Sequence, residues 1–138
     1  MITREGNSVN GIFSVLGGEA VTVGYLLERL REVRAVPYDA AAVYDELSRV
    51  ESMISEEVQG CGTVLLRPGR DDSRELLVHP PYDGMYLHYL CAKIDQAVQE
   101  YDSANTEMTV FSGLYSEYAK WYRREHIPPQ GAKVKHYV

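Results

Sequence analysis

The sequence predicts a mainly α-helical protein, a small bundle of about four helices. Between the second and third helices it predicts a short β-hairpin or extended loop, and after the last an extended C-terminal tail. Three observations carry this reading. Apolar residues recur at steps of three and four over two stretches before Gly60 and over a longer one after Tyr82. Between them the pattern changes to short apolar runs, TVLLRP and ELLVHP, flanking the polar turn GRDDSR. Beyond His126 the chain reads IPPQGAKVKHYV, with a proline pair that ends a helix and favours extended geometry.

Taken in order, residues 1–20 hold four glycines, two asparagines and no helical stripe, and are expected to form a poorly ordered arm. Patterning starts abruptly at Val21. A valine codon there, behind purine-rich codons for Gly17, Gly18 and Glu19, makes position 21 an expected alternative start. The first helix places Val23, Leu26, Leu27, Leu30 and Val33 behind the cap Thr22 and ends before Pro37. The second follows the cap Asp39, with Val43, Leu47, Val50, Ile54 and Val58 on one face and Asp45, Glu46, Glu51, Glu56 and Glu57 on an acidic opposite face. Gly60 and Gly62 stop it.

From Tyr82 a stripe runs through Tyr86, Leu90, Ile94, Ala97, Tyr101, Ala104, Met108, Phe111, Tyr115, Tyr118 and Tyr122. A single helix of about 40 residues would be about 60 Å long, too long for one domain of this size. The cap-forming run Asp102-Ser103-Ala104-Asn105-Thr106 is therefore the expected break, with one kinked helix as the alternative. Residues 21–127 form the expected domain and residues 128–138 a basic tail that orders on a partner.

Composition bounds the function. The chain has 138 residues and is 45% apolar and 25% charged, as expected of one ordinary globular domain without a disulfide staple. No apolar run approaches the roughly 18 residues of a membrane span. Cys61 and Cys91 have no CxxC spacing and no secretory signal ahead of them, which fits a reducing, cytoplasmic site of folding. The net charge of −6 argues against a whole-surface nucleic-acid platform. From Glu117 onward, however, five basic residues face two acidic ones. Tyrosine occurs 11 times against two phenylalanines and one tryptophan. A residue with an apolar ring and a hydroxyl that needs a partner suits either subunit contacts or the rim of the chain's own core.

No reactive constellation stands out. His79, His88, Cys91 and Asp83 lie close in sequence, and helical spacing puts His88 and Cys91 on one face, but His79 precedes two prolines and no second close ligand pair exists. Cys91 sits between apolar neighbours, unlike an activated thiolate. Asp71-Asp72 and Glu56-Glu57 read as solvated charge. Trp121, Tyr122, Arg123 and Arg124 could clamp single-stranded nucleic acid, although cations at the negative pole of a helix are the simpler account. The expectation is a non-enzymatic chain with no cofactor and no metal.

The run LLVHPPYDGMYLHYLCAKID and the later MTVFSGLYSEYAKWYRREHIP resemble the C-terminal half of head-tail connector, or adaptor, proteins of tailed bacteriophages. The residues that carry the likeness are Leu76-Leu77-Val78, Pro81-Tyr82-Asp83, Tyr86, Tyr89-Leu90, Ala92-Lys93-Ile94-Asp95, Met108, Phe111, Tyr115, Ala119, Tyr122 and His126. TVGYLLERL is similar to that family's N-terminus. The chain departs from the pattern at Val98-Gln99, where an Asn-Gly is common, and at Gly84 and Cys91, where Glu is common.

The resemblance implies a virion protein assembled in the bacterial cytoplasm. It implies a ring, commonly a dodecamer, that extends the DNA channel beneath the portal protein and offers a face to tail or stopper proteins, with DNA passing through unread. The residues expected to dock the portal are Arg123, Arg124, Pro128, Pro129, Lys133, Lys135, His136 and Tyr137. Those expected between subunits are Tyr82, Tyr89, Tyr115, Tyr118, Leu65 and Leu77. The alternative reading is a small nucleic-acid-binding or regulatory helical protein.

Overall fold

The first helix, α1 (Val23–Val33), begins where the Thr22 hydroxyl accepts the Tyr25 N–H at 3.2 Å. This is the cap the sequence predicts. The computed structural model describes residues 20–126, so the expected N-terminal arm and the tail after residue 126 lie outside the described residues. In α1, Val23, Leu26, Leu27 and Leu30 are buried, each such side chain worth about 1.5–3 kcal/mol. Val33 was expected on the same stripe and is 44% exposed instead, because the chain turns extended at Arg34.

The second helix, α2 (Ala40–Met53), is capped by the Asp39 carboxylate, which accepts the Ala42 N–H at 3.0 Å. It runs on as a π-helical turn over Ile54–Val58. There the Gln59 N–H reaches back to the Ile54 carbonyl at 3.1 Å, and Gly60 leaves the helix with φ +71°, a conformation that favours glycine. Val43, Leu47, Val50 and Ile54 are buried as expected.

The expected acidic outer face of α2 needs one correction. Glu51 is 1% exposed, because the helix carries a second, polar stripe beside the apolar one. Tyr44, Ser48, Glu51 and Ser55 recur at helical spacing and are all buried. They face the segment from Cys61 to Asp83, and this is why no hairpin forms there.

The Leu66 N–H donates to the Ser48 hydroxyl at 2.9 Å and the Val64 N–H to that of Ser52 at 2.9 Å, while the Ser55 hydroxyl donates to the Gly62 carbonyl at 2.7 Å. The first apolar run is thus laid antiparallel along α2 by hydroxyls instead of by a partner strand. The second run is held elsewhere. The Leu76 N–H donates to the Val21 carbonyl at 2.8 Å, an isolated antiparallel bridge joins Thr22 to Glu75, and the Leu77 N–H meets the Glu51 carboxylate at 3.0 Å. Of the two expected alternatives, the extended loop is found. A lone two-stranded hairpin is marginal in water, and here each run has a better partner. Side chains still alternate: Val64, Leu66, Leu76 and Val78 are buried and Leu65 is 49% exposed.

The turn between the runs also differs from its reading as solvated charge. The Asp71 carboxylate accepts the Arg67 N–H at 2.7 Å and the Arg70 guanidinium at 2.9 Å, and Asp72 accepts from the Tyr44 hydroxyl. The Asp72 carbonyl accepts the Gly24 N–H at 2.8 Å, so close that a side-chain carbon on residue 24 would sit 3.1 Å from that oxygen.

The last two helices are α3 (Gly84–Ala97) and α4 (Tyr101–Glu125). The Pro80–Pro81 bond before them is cis. Asp83, the residue before α3, does not cap it with its side chain; its backbone is already helical and its carbonyl accepts the Tyr86 N–H at 3.1 Å.

The break between α3 and α4 falls at Val98–Glu100, and Asp102 to Thr106 lie inside α4. Gln99 takes φ +65°, its N–H donates to the Gln96 carbonyl at 3.1 Å, and the Glu100 N–H donates to the Asp95 carbonyl at 2.8 Å. These two bonds form a Schellman motif with glutamine at the left-handed position where glycine is usual. The two helices then pack antiparallel as a pair. At the end near their turn, Arg34 holds Asp95 through two bonds of 2.9 and 3.0 Å and Glu107 at 2.9 Å, and His88 meets Glu107 at 2.6 Å.

A candidate partner-binding groove at the end of the long helix

At the other end of the α3–α4 pair, helical spacing puts Tyr118, Trp121 and Tyr122 on one face of α4. The cis-proline turn brings Tyr82 against them. The Tyr82 ring lies 6.0 Å from Tyr118 in an edge-on arrangement and 5.9 Å from Trp121, and Tyr118 lies 5.9 Å from Trp121. Tyr122 stacks on His126 at 3.8 Å. Together with Leu77, His79, Pro80, Pro81 and Gln59 these residues line a groove of about 620 Å³. Its polar handles include the Gln59 amide, which donates to the Tyr118 hydroxyl at 2.9 Å. Burial raises the Tyr118 phenol above its ordinary range, so the ring stays neutral at physiological pH.

Of the residues expected between subunits, Tyr82, Tyr118 and Leu77 come together in this groove. Tyr118 is 2% exposed, so most of its ring packs within the chain. Tyr89 is also enclosed, against Phe111 at 5.2 Å. Tyr115 is half-buried and donates to Glu57 at 2.6 Å, beyond the groove and further from the end of α4. Leu65 lies apart on the outer side of the extended segment. Of the portal-docking set, Arg123 and Arg124 are exposed on the last turn of α4 beside the groove. Pro128, Pro129, Lys133, Lys135, His136 and Tyr137 lie outside the described residues.

Sequence reasoning picked out Tyr122 on the helical stripe, and Trp121 with it only as a nucleic-acid clamp, and passed over Pro80 and Gln59 as lining residues. The spacing of Tyr118, Trp121 and Tyr122 was visible; the fold-back of Tyr82 through a proline turn was not.

The other reactive side chains are dispersed. Cys91 is buried, and its thiol is pushed up to about 11 by that burial. His88 is engaged by Glu107, and Cys61 is exposed at the glycine turn. Among the described residues no three of His, Cys, Asp and Glu converge to hold a metal, and no helix is long and apolar enough to cross a membrane.

No family model matches the chain, and neither a curated protein nor a solved structure is significantly similar to it.

Proposed function

We propose that the chain is a structural virion protein, a head-tail connector that forms a ring under the portal, extends the DNA channel and joins head to tail. One observation carries the reading beyond the sequence resemblance. The aromatic groove and the exposed Arg123-Arg124 pair lie at one end of α4, and the proline-led basic segment follows that end in the sequence. This is the composition of an assembly contact, with aromatic anchors beside cations and an extended arm.

The flank of α4 supports it too. Only Ala104, Phe111, Tyr118 and Ala119 of its 25 residues are buried, which leaves a long helical face for a neighbouring subunit. An acidic body suits a DNA conduit, because a negative lining lets the duplex slide without sticking. The nucleic-acid alternative is less well supported, since Trp121 is already packed against Tyr82 and Tyr118.

Binding to the cognate portal protein tests the proposal. Deleting Pro128 to Val138 is expected to leave the helical circular-dichroism signal unchanged and to abolish docking. Equal binding by the shortened chain would remove the tail from the contact. A protein that forms no ring with the portal under the electron microscope would remove the connector reading itself.

A further inference from the structure

The extended segment from Gly62 to Arg67 has one side bonded and one side open. Val64 and Leu66 turn their main-chain groups toward α2, where the hydroxyls of Ser52 and Ser48 meet them. In an extended chain the intervening residues point these groups the opposite way, so Thr63 and Leu65 direct theirs away from the helix. Among the described residues the N–H groups of Thr63 and Leu65 meet no acceptor. The open side closes at both ends. The Cys61 N–H donates to the Ser55 carbonyl at 2.8 Å, and Arg67 exchanges bonds with Asp71 at 2.7 and 3.1 Å. An open stretch of main chain of this kind is a template for another strand.

We infer that this edge pairs with the same edge of a second copy, antiparallel about a two-fold axis at Val64. The register follows from which groups are free. With Thr63 opposite Leu65 of the second copy, the free groups of both chains meet in four main-chain bonds. Placing Thr63 opposite Thr63 brings Leu65 against Cys61, and placing Leu65 opposite Leu65 brings Thr63 against Arg67; in both registers the second residue's N–H is already bonded. Arg70 donates to the Leu65 carbonyl at 2.9 Å, which keeps a second lone pair for the partner strand.

Side chains and charge select a second copy as the occupant. In this register Leu65, 49% exposed in the single chain, covers Thr63 of the other copy. Arg67 of the second copy falls diagonally beside Thr63, at about 7–8 Å, within reach of a long side chain. The Thr63 hydroxyl donates to Glu56 at 2.8 Å, so the guanidinium arrives at an acid. Arg67 and Glu56 are both exposed, and neither has an ion-pair partner among the described residues. Glu56 and Thr63 line an open trough of about 570 Å³ beside α2, which leaves room for the arriving side chain. The two-fold axis forms this charge pair twice. The contact is short, so a dissociation constant of about 0.1–1 mM is expected. It needs neither the aromatic groove nor a portal, and it stands or falls separately from the connector reading.

Amide exchange, read by NMR on the full chain as its concentration is raised to about 1 mM, tests the contact. Exchange at Thr63 and Leu65 should slow, whereas Val64 and Leu66, bonded already, should not change. Glu56→Lys and Arg67→Glu each turn both charge pairs repulsive, and each should weaken association in sedimentation by about tenfold at low salt. An equal mixture of the two variants should recover most of that loss. In the mixed pair the two altered residues face each other, and the unaltered Glu56 faces the unaltered Arg67.

Arg70→Ala should leave the pairing intact. Association by that variant alone would show that the arginine shields the edge, and would overturn the proposal. So would a chain that stays monomeric at about 1 mM, a chain that associates without slower exchange at Thr63 and Leu65, or a mixture that associates no more tightly than its components.

Discussion

Glu51 shows how a single residue ties the loop to the helices. Its carboxylate accepts the Leu77 N–H at 3.0 Å and the Tyr86 hydroxyl at 2.5 Å, and that hydroxyl accepts the Val78 N–H at 2.9 Å. Burial raises the Glu51 carboxyl above its ordinary value, while the bonds from Tyr86 and Leu77 oppose the rise. Between the ordinary and the raised value the folded chain binds more protons than the unfolded one, so stability from this group falls as pH rises through the window. Asp83, also raised by burial, acts in the same direction. Asp95 acts in the opposite one: the bond from Arg34 holds it below its ordinary range, so its contribution is present above about pH 4 and lost at lower pH. The urea midpoint is therefore expected to rise as pH is lowered from neutral toward the ordinary carboxylate range and to fall again below about pH 4. Tyr86→Phe orphans the Val78 N–H and removes a donor from Glu51, and should cost about 1–3 kcal/mol at neutral pH. It should also steepen the pH dependence above the ordinary carboxylate range, because the carboxylate loses a bond that favours its charged form. A midpoint unchanged from the parent at pH 7 would show that water replaces the phenol. Polarity alone placed Glu51 on a solvent face. The signal that it belongs inside was its spacing with Tyr44, Ser48 and Ser55, a polar stripe that only makes sense when backbone must be satisfied there.

At the scale of elements, two local solutions decide the architecture. The hydroxyls of α2 replace a partner strand, so Ser52→Ala leaves the Val64 N–H and carbonyl without the partner they share at 2.9 Å. A loss of about 1–3 kcal/mol is expected, with Val64 amide exchange accelerated ahead of that of the α3 core. Uniform acceleration would mean that the segment and the helices open only together. The second solution is the Schellman turn. Gln99 in the left-handed region costs about 1–2 kcal/mol relative to a right-handed residue. Gln99→Gly should relieve this and, after the larger entropy of an unfolded glycine, stabilise the chain by up to about 1 kcal/mol. A lower urea midpoint in that variant would show that the glutamine side chain contributes something the backbone geometry does not reveal. The helices themselves were legible from apolar spacing, and the caps Thr22 and Asp39 from their residue types. The break between α3 and α4 was misplaced because intrinsic preference and packing disagree. Asp102, Ser103 and Asn105 favour caps, yet Ser103 donates to Asp95 at 2.6 Å, and Thr106 and Thr109 bond back to the carbonyls of Asp102 and Asn105. Those bonds make the run tolerable in a helix. Ile94 and Ala104 are both buried, so the chain had to reverse between them.

For the whole molecule, asymmetry of charge and of burial governs what it can meet. The core lies among α1, α2, α3 and the extended segment, with α4 contributing one edge and presenting most of its surface outward. Its last turn carries Arg123 and Arg124 at the negative pole of the helix, where they are locally stabilised, yet both remain exposed. If these arginines meet acidic groups of the portal, attraction is strongest at low ionic strength and weakens as the Debye length shrinks from about 30 Å at 0.01 M to about 10 Å at 0.1 M. Rim charges act mainly on the association rate, so the unmodified chain should dock faster at low salt and lose that advantage as salt is added. Arg123→Glu with Arg124→Glu reverses the local sign, and should slow docking most at low salt while leaving the unfolding midpoint within about 0.5 kcal/mol of the parent, as for most surface changes. Surface plasmon resonance against immobilised portal at two salt concentrations separates the outcomes. An association rate that is independent of salt in the parent chain would take the arginines out of the contact and leave the aromatic groove and the C-terminal segment to carry docking alone.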